Sequence, residues 1–293
     1  MRNKVIVAVL AASAGWGLAG VGTRAAYQAG ATTLTVLAIR TAIAATVLVV
    51  FVLVSRPTPS ALAWKHGTLI GALRVGVNPM LFMASLNYIS AGVEGLVITL
   101  IPAVTTILAA VTIKEKPTRR QVVGLLIGLA GTAVIGLSGD SGLGDSGNIG
   151  LGFAFAGAGV VTAGISGVIQ RRFAPMHDTV SLALPMFLAG TAVAVVVGAL
   201  VGFDDVSSYE PNLWVLLVVL ALGSTLMPFG LTLYASKHAS ATIVAMTAYI
   251  APLVAVLGGA LLLDEQITPV IIVGAIFAMV GVAMVGGRRR VTT

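Results

Sequence analysis

Long apolar runs separated by short polar connections set the pattern of this 293-residue chain. Each run is close to the roughly 20 residues that a helix needs to cross a bilayer, and none shows the alternation of a membrane β-strand. The expected fold class is therefore an all-α integral membrane protein with ten transmembrane helices. The predicted spans lie at about residues 5–27, 33–54, 66–88, 91–113, 118–137, 149–171, 179–201, 211–234, 241–263 and 268–286.

Composition agrees with this pattern. Hydrophobic residues make up 58% of the chain and charged residues 9%, and the mean hydropathy is +1.05, whereas a soluble domain is about 25% charged. The chain has no cysteine, which excludes disulfides, thiolate metal sites and a cysteine nucleophile. Its net charge of +7 sits in short clusters between apolar runs, so we expect a lipid bilayer and no nucleic acid as partner.

The first run also has the features of a signal peptide. Arg2 and Lys4 precede an apolar core, and Ala12-Ser13-Ala14 matches a cleavage site. The apolar character continues past Ala14 to Val21, however, and the repeat described below needs this helix. A retained spanning helix is the preferred interpretation.

Basic residues predict the orientation of the chain, because cytoplasmic loops are rich in lysine and arginine. If the amino terminus is inside, the inside segments hold Arg2, Lys4, Arg56, Lys65, Lys114, Lys116, Arg119, Arg120, Arg171, Arg172, Lys237, Arg288, Arg289 and Arg290. The outside loops then hold acidic residues instead, namely Asp140, Asp145, Asp204, Asp205, Glu210, Asp264 and Glu265. Both termini are therefore expected in the cytoplasm.

The chain contains an internal repeat at a shift of 150 positions. The shift places Pro102 on Pro252, Glu115 on Glu265, Thr118 on Thr268, Gly124 on Gly274 and Gly131 on Gly281. Each half then holds five spans, an odd number, so the second half enters the membrane from the opposite face, as in many secondary transporters. The predicted domains are residues 1–137, a Gly/Ser-rich linker at 138–148, and residues 149–293.

The matched residues have local interpretations. Mid-span prolines loosen a helix, so Pro102 and Pro252 are either hinges or packing kinks. Thr118 and Thr268 are expected to cap the following helix, with Glu115 and Glu265 just ahead of its positive end. The glycines recur every seven residues on one helix face, which predicts close helix contact at Gly124, Gly131, Gly274 and Gly281.

Two stretches that contain the matched residues, 84–137 and 234–285, resemble the drug/metabolite transporter superfamily, in particular its EamA-type members. Both contain Ser-Ala at the entry, a mid-helix proline, a glutamate at the helix end and glycines seven apart. Trp16 and Arg40 also fit the family pattern, whereas Phe187 stands where a second Arg40 would fall. The resemblance implies ten helices, a cavity between two five-helix halves, and alternating access without ATP. The lack of a G-x-x-x-x-G-K-[ST] motif agrees, so no cofactor is expected. The expected location is the bacterial cell membrane.

Charged and polar residues inside the spans are the candidate substrate-binding residues, because a buried polar group in a membrane needs a reason. Arg40 is either an anchor for a substrate carboxylate or phosphate, or a structural or snorkelling residue. Glu94 is either favoured by the helix dipole alone, or pairs with Arg24 or Arg40 and exchanges that partner for a proton or amino group. Arg24 and Arg74 are expected to snorkel. The remaining candidates, each a wall or packing residue, are Trp16, Asn78, Thr99, Thr247 and Tyr249.

The leading functional hypothesis is a secondary active exporter of amino acids or similar small organic metabolites, with the substrate class and the direction taken from the family resemblance. The alternative is a facilitative or proton-coupled carrier of drugs, purines or sugar phosphates. An intramembrane enzyme would need clustered carboxylates, histidines or a serine nucleophile, a channel would need rings of like polar groups, and a receptor would need longer loops. The expected protein is thus not an enzyme, and its partners are a small-molecule substrate, the bilayer and candidate coupling protons, in a monomer or homodimer.

Overall fold

A computed structural model describes residues 2–55, 58–112, 118–138, 148–238 and 247–285. These residues form helices and short connections without any strand, so the all-α prediction is confirmed for the described part. The helical segments are α1 (Arg2–Gln28), α2 (Thr33–Ser55), α3 (Ala61–Ser85), α4 (Ala91–Thr112), α5 (Arg119–Ser138), α6 (Ile149–Phe173), α7 (Thr179–Val201), α8 (211–238), α9 (Thr247–Leu263) and α10 (Pro269–Val285).

Seven of the described helices are long and apolar enough to cross a membrane, namely α1, α2, α3, α4, α6, α7 and α8. Helices α9 and α10 contain the shorter apolar stretches Ile250–Leu263 and Pro269–Met284, and α5 is a 20-residue helix. Large apolar side chains such as Leu53, Val111 and Leu200 expose 71%, 76% and 82% of their surface, which suits lipid rather than water. The count of ten spanning helices stays a prediction.

The strongest helix contacts join residues 1–137 to residues 149–293 rather than neighbours in sequence. The contact of α1 with α9 has its counterpart in that of α6 with α4, and the contact of α1 with α8 in that of α6 with α3. Helix α2 packs on α7, α4 on α9 and α5 on α10. Two related halves would give this pairing, and the halves interlock instead of forming two separate bodies. The predicted repeat boundaries remain a prediction.

Helix α3 contains a π-helical turn at Ala72–Val77, immediately before Asn78 and Pro79. The backbone N–H of Asn78 donates to the carbonyl of Leu73, five residues back. Proline lacks an N–H, and its ring clashes with the carbonyl four residues earlier. The helix widens here by one residue, which places Arg74 within the widened turn.

Helix α8 repeats this irregularity at the corresponding place of the second half. Its π-helical turn covers Leu222–Leu226 and is followed by Pro228, and the backbone N–H of Met227 donates to the carbonyl of Leu222. The carbonyl four residues before Pro228 belongs to Ser224, so the proline takes away its helical donor. A side chain from another helix can therefore bind that carbonyl.

The two matched prolines predicted as hinges lie in different local structures. Helix α4 is interrupted by a turn at Thr99 and Leu100, three residues ahead of Pro102. Helix α9 runs without interruption through Pro252. The first half therefore has a broken helix where the second has a continuous one.

The seven-residue glycine spacing does produce the predicted close contact, between α5 and α10. A Cβ on Gly131 would lie 2.7 Å from Phe277 Cβ, and a Cβ on Gly281 would lie 2.6 Å from the carbonyl oxygen of Gly124. Both distances are shorter than a real Cβ contact allows, so the backbones meet only because the side chains are absent.

Substituting Gly281 by alanine is expected to destabilise the protein by about 1–3 kcal/mol, because the new methyl group meets backbone atoms that cannot move aside. Gly157→Ala in α6 is the matched control, since a Cβ there has nothing within 4 Å, and alanine is the better helix former. Thermal unfolding of both variants in detergent measures the difference. Equal midpoints would contradict the close contact of α5 and α10.

Candidate functional site

A cavity of about 310 Å³ lies among the helices, and both halves of the chain line it. Most of its wall is apolar, with aromatic side chains from Trp16, Phe82, Phe187 and Phe229. Within the described residues, the ionisable side chains of the wall are Arg40, Arg74 and Glu94. This volume and mixture of an apolar wall with few polar groups is typical of small-molecule sites.

Arg40 extends from α2 to α8 and is only 7% exposed. Its Nε donates to Thr225 Oγ1, and its Nη2 donates to the carbonyl oxygen of Ser224 at 3.2 Å. Ser224 is the residue whose carbonyl Pro228 leaves without a helical donor. Arg40 of the first half thus supplies the donor that Pro228 of the second half lacks. Its side chain is held between helices, so the snorkelling interpretation of Arg40 does not match the structure.

Glu94 lies in the first turn of α4 and is 6% exposed. Its carboxylate lies over Gly20 of α1, where a Cβ would come within 2.8 Å of Glu94 Oε2. No nitrogen of the described basic side chains lies within 4 Å of it, so the predicted pairing with Arg24 or Arg40 is not formed as an ion pair. Glu94 and Arg40 nevertheless line the same cavity.

Arg74 lies in the π-helical turn of α3 and lines the cavity. Its helix begins at Ala61, between three and four turns earlier, so Arg74 is about 20 Å from that end, at 1.5 Å per residue. The side chain is exposed, and it makes no hydrogen bond or ion pair with the residues that the structure describes. At this depth the side chain of Arg74 does not reach the interface at that end, so the snorkelling expected from the sequence does not match the structure.

The structure distributes the other predicted site residues unevenly. Trp16, Asn78 and Pro252 line the cavity, and Asn78 Nδ2 also donates to the carbonyl of Gly159 at 2.7 Å. The hydroxyl of Thr99 is buried and donates to the carbonyl of Leu96 at 2.6 Å. Three other candidates do not belong to the described lining of the cavity, namely Thr99, Pro102 and Thr247. The side chain of Tyr249 falls outside the described part of the structure, and the substrate-binding role of every candidate stays a prediction.

Comparison with known proteins decides the family. The sequence profile of the EamA-like transporter family matches residues 3–137 and 150–287. The chain belongs to the EamA-like transporter family. It is a multi-pass membrane transporter of the drug/metabolite transporter superfamily, as the sequence predicted, and the two matched segments agree with a two-repeat chain.

A protein with a solved crystal structure resembles this EamA-like transporter in fold. The alignment covers 97% of this chain and 98% of the other, with a TM-score of 0.65 and 20% sequence identity. At this identity the likeness concerns the fold alone. Comparison with curated proteins gives no match.

One end of the EamA-like transporter, here called the distal side, carries the connections 29–32, 86–90, 202–210 and 264–268. There Glu265 forms an ion pair with Arg24, with Oε1 at 3.3 Å from Nε. Its two carboxylate oxygens also accept from the backbone N–H groups of Ala91 and Gly92, at 2.9 and 3.2 Å. Glu265 therefore caps α4 of the other half, not α10 as the sequence suggested, and Arg24 is paired instead of snorkelling.

The predicted helix caps at the two matched threonines are confirmed. Thr118 Oγ1 accepts from the backbone N–H of Gln121, and Thr268 Oγ1 accepts from that of Ile271, both at 3.3 Å. The counterpart of Glu265, Glu115, lies outside the described residues. Each cap satisfies a backbone donor in the first turn of its helix.

Asp204 joins the two halves a second time on the distal side. Its carboxylate accepts from Tyr209 Oη and from the backbone N–H of Thr32, the latter at 2.7 Å. Burial opposes ionisation of Asp204, but these hydrogen bonds outweigh it and hold the pKa of the carboxyl below its usual range. The pKa of Tyr209 is raised by burial and by the hydrogen bond to Asp204.

Asp204→Asn is expected to lower the stability of the transporter by about 1 kcal/mol near neutral pH, because it removes charge-assisted hydrogen bonds. A carboxyl with a lowered folded pKa contributes fully above its ordinary value of 3.8 and loses the contribution as pH falls through the lower folded value. The gap between wild type and variant should therefore close only in strong acid. Unfolding curves at several pH values measure it, and a gap that closes near pH 6 would contradict this account.

The opposite end, here called the terminal side, carries residues 58–60 and 174–178. His66 Nδ1 lies 2.9 Å from His177 Nε2, and the ring of His66 stacks on that of Phe173 at 4.0 Å. This contact also joins the two halves. The two histidines are 111 positions apart in the sequence, and no local pattern indicates that they meet. Among the described residues no three metal-binding side chains form a group.

Proposed function

We propose that this EamA-like transporter is a secondary active carrier that exports amino acids or similar small organic metabolites by alternating access. The cavity of about 310 Å³, lined by both halves, is the observation that carries the proposal. Inverted-repeat carriers place substrate at the interface of their halves and move one half against the other. A wall of apolar side chains with a few convergent polar groups suits a small organic molecule.

Contacts between the halves at both ends support a mechanism in which the two ends open in turn. Glu265 and Asp204 hold the distal side, and the contact of His66 with His177 holds the terminal side. Opening one side requires its contacts to break while the other set remains, which is the requirement of alternating access. Pro102, beside the break in α4, and Pro252 in α9 are the proposed hinges.

The proposal places the transporter in the bacterial cell membrane with both termini in the cytoplasm, so that the terminal side faces the cytoplasm. It acts as a monomer or a homodimer. The alternative is a facilitative or proton-coupled carrier of drugs, purines or sugar phosphates, for which the same cavity would serve.

The test begins with thermal-shift screening of purified protein against a broad panel of metabolites, because binding stabilises the folded form by mass action. Each ligand that stabilises the protein is then tested for counterflow in proteoliposomes. A carrier accumulates labelled substrate against unlabelled substrate with saturation, whereas a channel does not. Ligands that bind without any counterflow would refute a carrier.

Glu94 is the residue proposed to couple transport to protons, because it is the carboxylate in the described part of the cavity wall. Glu94→Gln is expected to reduce turnover about tenfold or more, a typical effect of losing a proton-transfer group, and to flatten its pH dependence. Counterflow and net transport in proteoliposomes, measured across pH, test this expectation. Unchanged turnover and an unchanged pH profile would show that Glu94 only stabilises the start of α4.

A further inference from the structure

The two guanidinium groups of the cavity differ in their partners. Arg40 donates to Thr225 and Ser224, whereas Arg74 has no hydrogen bond or ion pair within the described part of the chain. An arginine does not lose its proton in a protein, so Arg74 cannot become neutral. A charge so far from the helix end is costly unless something compensates it. Among the described residues, Arg74 therefore has no counter-ion within 4 Å.

The charge of the cavity wall points the same way. Its described ionisable residues are two arginines and one glutamate, so the wall carries one excess positive charge when Glu94 is ionised. A molecule with one net negative charge would neutralise it. A zwitterion has no net charge and would leave the excess in place.

The remaining wall shows what the other end of the ligand should be. Phe82, Met83, Met186, Phe187 and Phe229 border the same cavity as Arg74. Apolar and aromatic side chains favour an apolar ligand body.

We propose that Arg74 binds the carboxylate of the transported molecule, and that the substrate class is an amphipathic organic monoanion with an apolar body. This inference rests on the proposed function, since it takes the cavity as the transport site. Among the proposed amino acids and similar metabolites it selects those with a net negative charge, so zwitterionic amino acids are not the expected substrates. Five N–H donors in one plane allow Arg74 to bind both carboxylate oxygens at once.

Four probes with one apolar body and different head groups test the inference by thermal shift on the purified full chain. They are 3-phenylpropanoate (anion), phenylalanine (zwitterion), 3-phenylpropanamide (neutral) and 3-phenylpropylamine (cation). Wild type should bind the anion most tightly. Arg74→Gln should weaken binding of the anion about tenfold to a hundredfold, as expected for a lost charged hydrogen bond, and leave the amide unchanged. Arg74→Lys should still prefer the anion but bind it more weakly than wild type, because an ammonium group cannot hold both carboxylate oxygens in one plane.

Two controls separate binding from folding. Arg119→Gln makes the same chemical change on an exposed residue outside the described cavity wall and should leave the binding of all four probes unchanged. Without ligand, Arg74→Gln should unfold at the same temperature as wild type or higher, because it removes an unpaired charge; a marked fall would indicate a structural role and overturn the proposal. The proposal is also overturned if phenylalanine binds as tightly as 3-phenylpropanoate, or if none of the four probes binds.

The proposal that the protein is a carrier is tested separately from the role of Arg74. Its own test is counterflow of whichever metabolite stabilises the protein, whatever its charge. A clear preference for the anion without counterflow would leave Arg74 as an anion site in a protein that is not a carrier. Counterflow of a zwitterion that Arg74→Gln does not affect would support the carrier and refute the role of Arg74.

Discussion

Replacing Glu265 by alanine is expected to destabilise the transporter by about 3–5 kcal/mol, the usual cost of removing one partner from a buried ion pair. The side chain is 5% exposed and holds Arg24 together with the backbone N–H groups of Ala91 and Gly92. Without the carboxylate, the part-buried Arg24 loses its counter-ion and keeps only the Leu86 carbonyl as acceptor, and the start of α4 loses the acceptor of two N–H groups. The loss should therefore exceed that of an ordinary surface ion pair, which is about 0–1 kcal/mol.

Chemical unfolding of the purified protein in detergent measures this loss. Arg24→Gln, combined with Glu265→Ala, should recover part of it, because the double variant no longer holds a part-buried guanidinium without a counter-ion. Glu210→Ala is the matched control on the distal side, since Glu210 is exposed and its side chain makes no capping hydrogen bond at the start of α8. A loss below 1 kcal/mol for Glu265→Ala would show that water replaces the carboxylate.

Arg40→Gln is expected to cost about 3 kcal/mol in stability and to abolish transport. The substitution leaves the Ser224 carbonyl and the Thr225 hydroxyl without their donor, and it removes a cation from the cavity that holds Glu94. Both effects follow from one side chain, because Arg40 both joins α2 to α8 and borders the cavity.

Thr225→Val separates the two roles of Arg40. It removes the acceptor of Arg40 Nε and the donation of the hydroxyl to the Leu220 carbonyl, but it keeps the guanidinium. We therefore expect about 2 kcal/mol of destabilisation with transport largely retained. Unfolding curves and proteoliposome counterflow measure the two effects side by side. Arg40→Gln with stability and transport near those of wild type would mean that the arginine contributes to neither.

Features set by local spacing could be predicted from the sequence. The apolar runs, the threonine caps and the glycine face between α5 and α10 each depend on residues a few positions apart, and the structure contains them. The family resemblance on the matched stretches was confirmed by the family match over both halves. Periodicity and capping are local, so a sequence states them directly.

Contacts between the halves could not be predicted in the same way. Arg24 meets Glu265 and Arg40 meets Thr225 because α1 packs on α9 and α2 packs on α8, and no spacing encodes which helices become neighbours. The repeat even misled the prediction for Glu265, whose carboxylate caps the other half. The prolines at 79 and 228 were an unused signal, because each mid-helix proline frees a carbonyl for a distant donor.

The interlocked packing of the halves has a consequence for biosynthesis. The first five helices leave the ribosome before α6 to α10 are synthesised. The faces that later contact the second half are therefore exposed to lipid first. Arg40 has no acceptor on α8 until that helix has been made. A half on its own has no completed interior, and residues 1–137 should therefore depend on the later helices for their final arrangement. Because of this order of synthesis, insertion of the second half is the step that completes folding.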